Sequence, residues 1–142
     1  MKNKFKLFVG ALIMIMAMSA MASAAEPQAI DLGDGFSIVT TTKLADIQTY
    51  GGSVTGDATG DVYYSGTYIG SITIKATFVY DGSKVGVSSK SATVSTSNGW
   101  SYRNKSATGS GGSATASCTF YKGSTAKDAS VTVYCDKNGN IS

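Results

Sequence analysis

Apolar and polar residues alternate with a period of two in two hairpin-like stretches of the chain, and after residue 24 no stretch sustains a helical period. In "SITIKATFVY", Ile72, Ile74, Ala76, Phe78 and Tyr80 fall on one face of an extended strand, because successive side chains point to opposite sides. Asp81-Gly82 follows, a strong two-residue turn signal. A turn there sets Phe78 opposite Val85 and Ala76 opposite Val87, so pattern and turn give one register. A second hairpin is expected in "TASCTFYKGSTAKDASVTVYC". Ala114, Ala116, Cys118 and Phe120 share one face of its first strand, and Val131, Val133 and Cys135 share one face of its second. A four-residue loop at 125–128 sets Phe120 opposite Val133 and Cys118 opposite Cys135.

The remaining segments are short runs of Val, Ile, Thr and Tyr between Gly, Asn and Asp clusters, which favours pleated surfaces. "FSIVTTT" reads as the opening strand. "TTKLADIQTY" is the best helical candidate. "YGGSVTGDATGD" reads as a loop leading into a strand at 62–68, Ala92 and Val94 mark another strand, and Asn98-Gly99 is a turn before Trp100 and Tyr102. The expected fold is all-β, a single antiparallel sandwich of about seven strands with general immunoglobulin-like architecture. The two hairpins also align with one gap, Ser71, Thr73, Thr77, Phe78, Gly82 and Ser83 falling on Ser113, Thr115, Thr119, Phe120, Gly123 and Ser124. This is either an internal repeat or chance likeness in a Ser/Thr-rich chain.

The closing stretch "GGSATASCTFYKGSTAKDASVTVYC" resembles the last hairpin of bacterial immunoglobulin-like surface modules, with a Thr/Ala-rich strand, a Gly-Ser turn and a Val-Thr-Val strand. The likeness covers about the last quarter of the chain. It implies a binding or spacer role at a cell surface and brings no catalytic residues. A cysteine pair inside one hairpin departs from the inter-sheet disulfide of antibody-type domains.

The first 24 residues change the reading of composition. Lys2, Lys4 and Lys6 precede an apolar run from Leu7 to Met18, and Ala22-Ser23-Ala24 fits a small-residue cleavage site. This is the pattern of a secretory signal peptide, the run being short of the roughly 20 residues a spanning helix needs. The expected organisation is a signal peptide over 1–24, an arm over 25–35 and a sandwich domain over 36–142. Three of the twelve Lys and Arg lie in the leader and none of the nine acidic residues does, so the exported chain balances to zero net charge. The electrostatic case for nucleic acid or an anionic membrane as partner disappears with the leader. The location expected is secreted, with cell-surface association open. A bacterial source is compatible with the cleavage site. Two sequons, at Asn104 and Asn140, carry no meaning in that setting.

Chemistry is narrowed by what is missing. The chain has no His, which excludes Ser-His-Asp and Cys-His nucleophiles and His-ligated metal sites. Its one Glu is Glu26, and its Asp residues gather at turns, as Asp34, Asp57, Asp61, Asp81 and Asp128 do. No enzymatic activity, cofactor or metal is therefore expected. "DLGDG" and "GDATGD" could offer oxygens to calcium, but neither completes a calcium-loop spacing. The two cysteines are not spaced as C-x-x-C and cannot complete a zinc site. Export and the expected register make a Cys118–Cys135 disulfide the leading reading, with two buried free thiols as the alternative.

Aromatic residues remain as candidate binding groups. In the expected register Tyr121 and Tyr134 point away from the cysteine face and lie diagonally across adjacent strands. Tyr63 and Tyr64 point to opposite faces, so one is exposed. Flat rings among hydroxyl-rich strands can stack on sugar or anchor a protein partner. The expected partner is a cell-wall glycan or a surface protein. The competing classes are a self-associating structural β-protein, since little charge blunts the sheet edges, and a secreted antimicrobial or toxin.

Overall fold

The computed structural model describes residues 27–48 and 52–142, and the leader expectation lies outside them. Eight strands form: β1 (Gln28–Gly33), β2 (Phe36–Gln48), β3 (Ser53–Tyr64), β4 (Thr67–Tyr80), β5 (Val85–Thr96), β6 (Ser101–Ser110), β7 (Ser113–Lys122) and β8 (Thr125–Tyr134). They make two antiparallel sheets, a five-stranded one in the order β1-β2-β3-β4-β5 and a three-stranded one in the order β6-β7-β8. The two-layer all-β sandwich agrees with the sequence expectation. Every strand pairs with its neighbour in the chain, so the path is a meander that changes sheet once, at the Asn98-Gly99 turn between β5 and β6.

The alternation explains the core. Ile72, Ile74, Ala76 and Phe78 of β4 face Ala114, Ala116, Cys118 and Phe120 of β7 and Val131 and Val133 of β8, all buried. One end of the layer is closed by Phe36, Tyr64 and Trp100, whose rings meet at centroid distances of 4.6 to 5.7 Å. The other end is closed by the segment after β8. Cys135 N–H donates to Gly112 O at 2.8 Å, and Gly82 N–H donates to Lys137 O at 2.9 Å. Cys135 also bridges Ile141 in antiparallel fashion.

Several expectations are corrected. The arm over 25–35 contains β1, paired to β2 with Ile30 opposite Ile38. The helical candidate is strand as far as Gln48, Thr41 and Thr42 fitting a sheet better than a helix. "GDATGD" is no loop but the middle of β3. Its Gly56 and Gly60 face the core, where a side chain would collide with Ile141 and Ile38 respectively. The glycines read as loop signals are notches that receive larger side chains.

Both hairpin registers shift while their faces stay as expected. After β4 the turn is wider, Tyr80 pairing with Val85 and Phe78 with Val87. Asp81 explains this: its Oδ1 accepts the N–H groups of Lys84 at 2.7 Å and Ser83 at 2.9 Å. Those bonds, Lys84 foremost, hold its carboxyl below the ordinary carboxylate range. A bulge opposite Thr77/Phe78 then switches β5 from inward Val85 and Val87 to inward Ala92 and Val94. Between β7 and β8 the turn is tighter than expected, Gly123-Ser124, with Lys122 paired to Thr125. Gly123 has φ +60°, which suits glycine at the first central position of such a turn.

This tighter turn overturns the disulfide. Cys118 lies opposite Ala129, and Cys135 lies beside Gly112. The extended stretch from Gly112 to Cys118 separates the two thiols by about 20 Å at roughly 3.3 Å per residue, far beyond the Cα separation of about 7 Å that a disulfide tolerates. Both are buried free thiols. Burial, and then the Asp128 charge, pushes the Cys118 thiol up to about 11. Burial, and then Asp136, also raises Cys135.

Candidate functional site

The four tyrosines singled out by sequence are not brought together. Tyr121 and Tyr134 both stand on the outer face of the small sheet. Tyr121 pairs with Ala126 beside the Gly123 turn, whereas Tyr134 pairs with Ser113 at the opposite end. They are about 26 Å apart along β7 at roughly 3.3 Å per residue, so the single Tyr patch is corrected to two separate positions. Tyr134 is the more exposed, at 54%. Tyr64 turns inward and packs on Phe36 and Trp100. Tyr63 turns outward and meets Tyr68 edge to face at 5.7 Å.

Convergent polar chemistry gathers around Tyr121 instead. On the outer face of the small sheet the cross-strand rows are Thr108–Thr115–Thr132, Ser106–Ser117–Ser130 and Arg103–Thr119–Asp128. The Thr row is tied by a 2.7 Å bond between the Thr115 and Thr132 hydroxyls. In the Arg103 row, Thr119 Oγ1 donates to Asp128 Oδ1 at 2.6 Å, which fixes the carboxylate while Thr119 is only 8% exposed. The Arg103 guanidinium lies 5.2 Å from the centre of the Tyr121 ring, within reach of a cation–π attraction.

A bulge shapes this end of the sheet. Arg103 pairs with Thr119 and Ser106 with Ser117, so Asn104 and Lys105 together oppose Cys118. Asn104 takes φ +56°, a left-handed conformation that Asn tolerates better than most residues. The bulge opens two adjoining hollows of about 410 and 480 Å³ that share Asn104, Thr119 and Asp128. The larger one also takes in Arg103, Lys127 and Asp34. Lys127 Nζ donates to Asp34 Oδ2 at 3.0 Å, linking β8 to the β1–β2 turn.

The arrangement offers guanidinium and amide donors, carboxylate and hydroxyl acceptors and one aromatic ring, with two cations balanced by two anions. It can hydrogen-bond a neutral, hydroxyl-rich ligand. Sequence reasoning identified Tyr121 but missed Arg103, Asn104 and Thr119. The available signal was the doubled polar pair Asn104-Lys105, which breaks the alternation in β6. Among the described residues no three His, Cys, Asp or Glu side chains converge on one point. "DLGDG" is the β1–β2 hairpin turn, where Asp31 Oδ1 accepts the Gly33 N–H at 2.8 Å. No protein-family model, curated protein or solved structure matches this chain.

Proposed function

We propose that the protein is an exported, non-catalytic binding module that recognises a surface glycan through the outer face of its three-stranded sheet. The observation that carries this reading is the convergence of Arg103, Asn104, Thr119 and Asp128 on one hollow beside Tyr121. Sugars are bound by planar hydrogen-bonding side chains next to an aromatic ring, and this face supplies both without excess charge. Export is supported by the leader pattern, and a non-catalytic role by the absence of His and by the engagement of the hollow's two carboxylates, Asp34 by Lys127 and Asp128 by Thr119. The likeness of the last hairpin to immunoglobulin-like surface modules points to the same setting, although the strand order here is a meander and not a Greek key.

Co-sedimentation with insoluble peptidoglycan, chitin and cellulose tests the proposal. Wild-type protein is expected to pellet with one polymer and to stay in solution alone. Asp128→Ala and Arg103→Ala are each expected to weaken that binding at least tenfold. Tyr134→Ala, at the far end of the sheet, leaves it unchanged. Failure to pellet with any polymer, or equal binding by the Arg103 and Asp128 variants, overturns it.

A further inference from the structure

The two sheets differ in width, and the difference is not shared between the two sides. β6 lies against β5, whereas β8 lies over β3 and β4 and touches β2 at its margin, so the inner faces of β1 and of β2 past buried Phe36 and Ile38 project beyond β8. The projecting face carries Ile30, 51% exposed, and Leu44, 40% exposed, with half-buried Thr40 and Thr42 between them and half-buried Leu32 beyond Ile30. These residues sit on the core side of the sheet, as the pairing of Ile30 with buried Ile38 shows.

The adjoining edge of β8 is open. Bonds alternate between the two sides of a strand. Cys135 N–H bonds toward β7's side, at Gly112 O, while Tyr134 N–H and C=O turn the other way and bond Ser142. By the same alternation the N–H and C=O groups of Thr132, Ser130, Asp128 and Ala126 point to the outer edge. Among the described residues no backbone group pairs with them.

The chain itself shows how that edge is used. Tyr134 N–H donates to Ser142 O at 2.8 Å and Ser142 N–H donates to Tyr134 O at 3.0 Å. Ile141 enters the layer over Gly56, the β3 residue that pairs with Leu44. Residues 141 and 142 thus occupy the first positions of a strand antiparallel to β8, directly above the projecting face. From there the open edge runs to the Asp34–Lys127 ion pair, which closes the far end.

We propose that this edge is a strand-addition site for an extended peptide segment of a partner protein, lying antiparallel to β8. Positions opposite Val133, Val131 and Ala129 point inward onto Ile30 and Leu44 and take apolar side chains. Positions opposite Thr132 and Ser130 point outward and take small polar ones, and the position opposite Asp128 takes a base. Main-chain bonds supply affinity in this mode and the alternate side chains supply selectivity. A second copy is the poorer occupant. Antiparallel pairing of two β8 edges sets both projecting β1–β2 faces on the same side of the joined sheet, where each overlaps the partner's large sheet. The apolar floor of Ile30 and Leu44 lies on the opposite face from Arg103 and Tyr121, and the edge shares only Asp128 with the residues of the glycan reading, so Ile30→Lys tests it separately.

The probe is a fluorescein-labelled peptide, Val-Thr-Val-Thr-Val-Lys, with a control peptide carrying Pro at its fourth position. Fluorescence anisotropy is expected to show saturable binding of the probe and at least tenfold weaker binding of the control. Ser130→Pro removes an edge N–H that makes no bond to β7, and Ile30→Lys charges the floor at an exposed position. Each is expected to weaken binding at least tenfold, and Ile30→Lys keeps the test decisive if Ser130→Pro does not fold. Amide exchange at Ser130 and Thr132 is expected to be fast in free protein and slowed by the probe. Absence of probe binding, or binding indifferent to both substitutions, overturns the proposal. So does protection of those amides without probe. If that protection is independent of concentration, the chain's own residues cover the edge. If it rises with concentration, a second copy does.

Discussion

At the scale of single residues, two features decide more than their size suggests. Gly60 is a notch for Ile38: its missing side chain lets an isoleucine from β2 lie flat against β3. Gly60→Ala is expected to cost about 1–3 kcal/mol by overpacking. Adding Ile38→Val, which removes the colliding methyl group, is expected to recover part of that loss in a urea denaturation series. Cys118 is the second feature. Its thiol is raised to about 11 in the folded protein against 9.0 for an ordinary thiol. The folded state holds this proton more tightly, so the contribution is fully present below pH 9 and is lost as pH climbs toward 11. The melting temperature is expected to fall across that window, and Cys118→Ala to flatten the fall. Two thiols are expected to react with a disulfide reagent only after unfolding, and intact mass under non-reducing conditions to show no internal bond. A single protected cystine in the native protein overturns the β7–β8 register.

At the scale of elements, most of what was legible in the sequence was which face a residue occupies. Ile72 to Phe78, Ala114 to Phe120 and Val131 to Val133 all face inward as their alternation requires. Register was less legible, because shifting a pairing by two leaves every face unchanged. What fixes it is turn chemistry that pattern alone does not rank. Asp81 widens one hairpin by capping two amides, and Gly123 tightens the other. From the second shift follow the lost disulfide and the separation of Tyr121 from Tyr134. The bulges were half legible: odd Val85 and Val87 against even Ala92 and Val94 already require one extra residue in β5. Asp81→Ala removes the acceptor for two loop amides. It is expected to destabilise the β4–β5 hairpin, read as a fall in denaturation midpoint with no change in slope.

For the whole molecule, the core is spread over both layers and has no single keystone, yet its largest buried side chains sit where the layers meet. Phe78→Ala is expected to cost about 3–5 kcal/mol, close to the full stability of a small domain, and to leave little folded protein at 37 °C. Phe36→Leu, at the aromatic end, conserves more volume and is expected to cost less, as a thermal melt would show. The proposed binding face was the least legible feature. The adjacent pair Arg103 and Asn104, and Thr119 and Asp128, come from three different strands and meet through the bulge in β6 and the Gly123 turn. No local motif announces such a site.

The meander has a consequence for how the molecule comes to be assembled. Each ladder joins segments adjacent in the chain, so no strand has to wait for a distant one to arrive. Sandwiches built from crossed connections must close long loops before pairing rewards them. This chain can add hairpin to hairpin in sequence order, starting from β1. Only the layer contacts, made once β7 and β8 fold over β3 and β4, require the whole length. Refolding is expected to be fast for an all-β protein of this size, with the small sheet docking last.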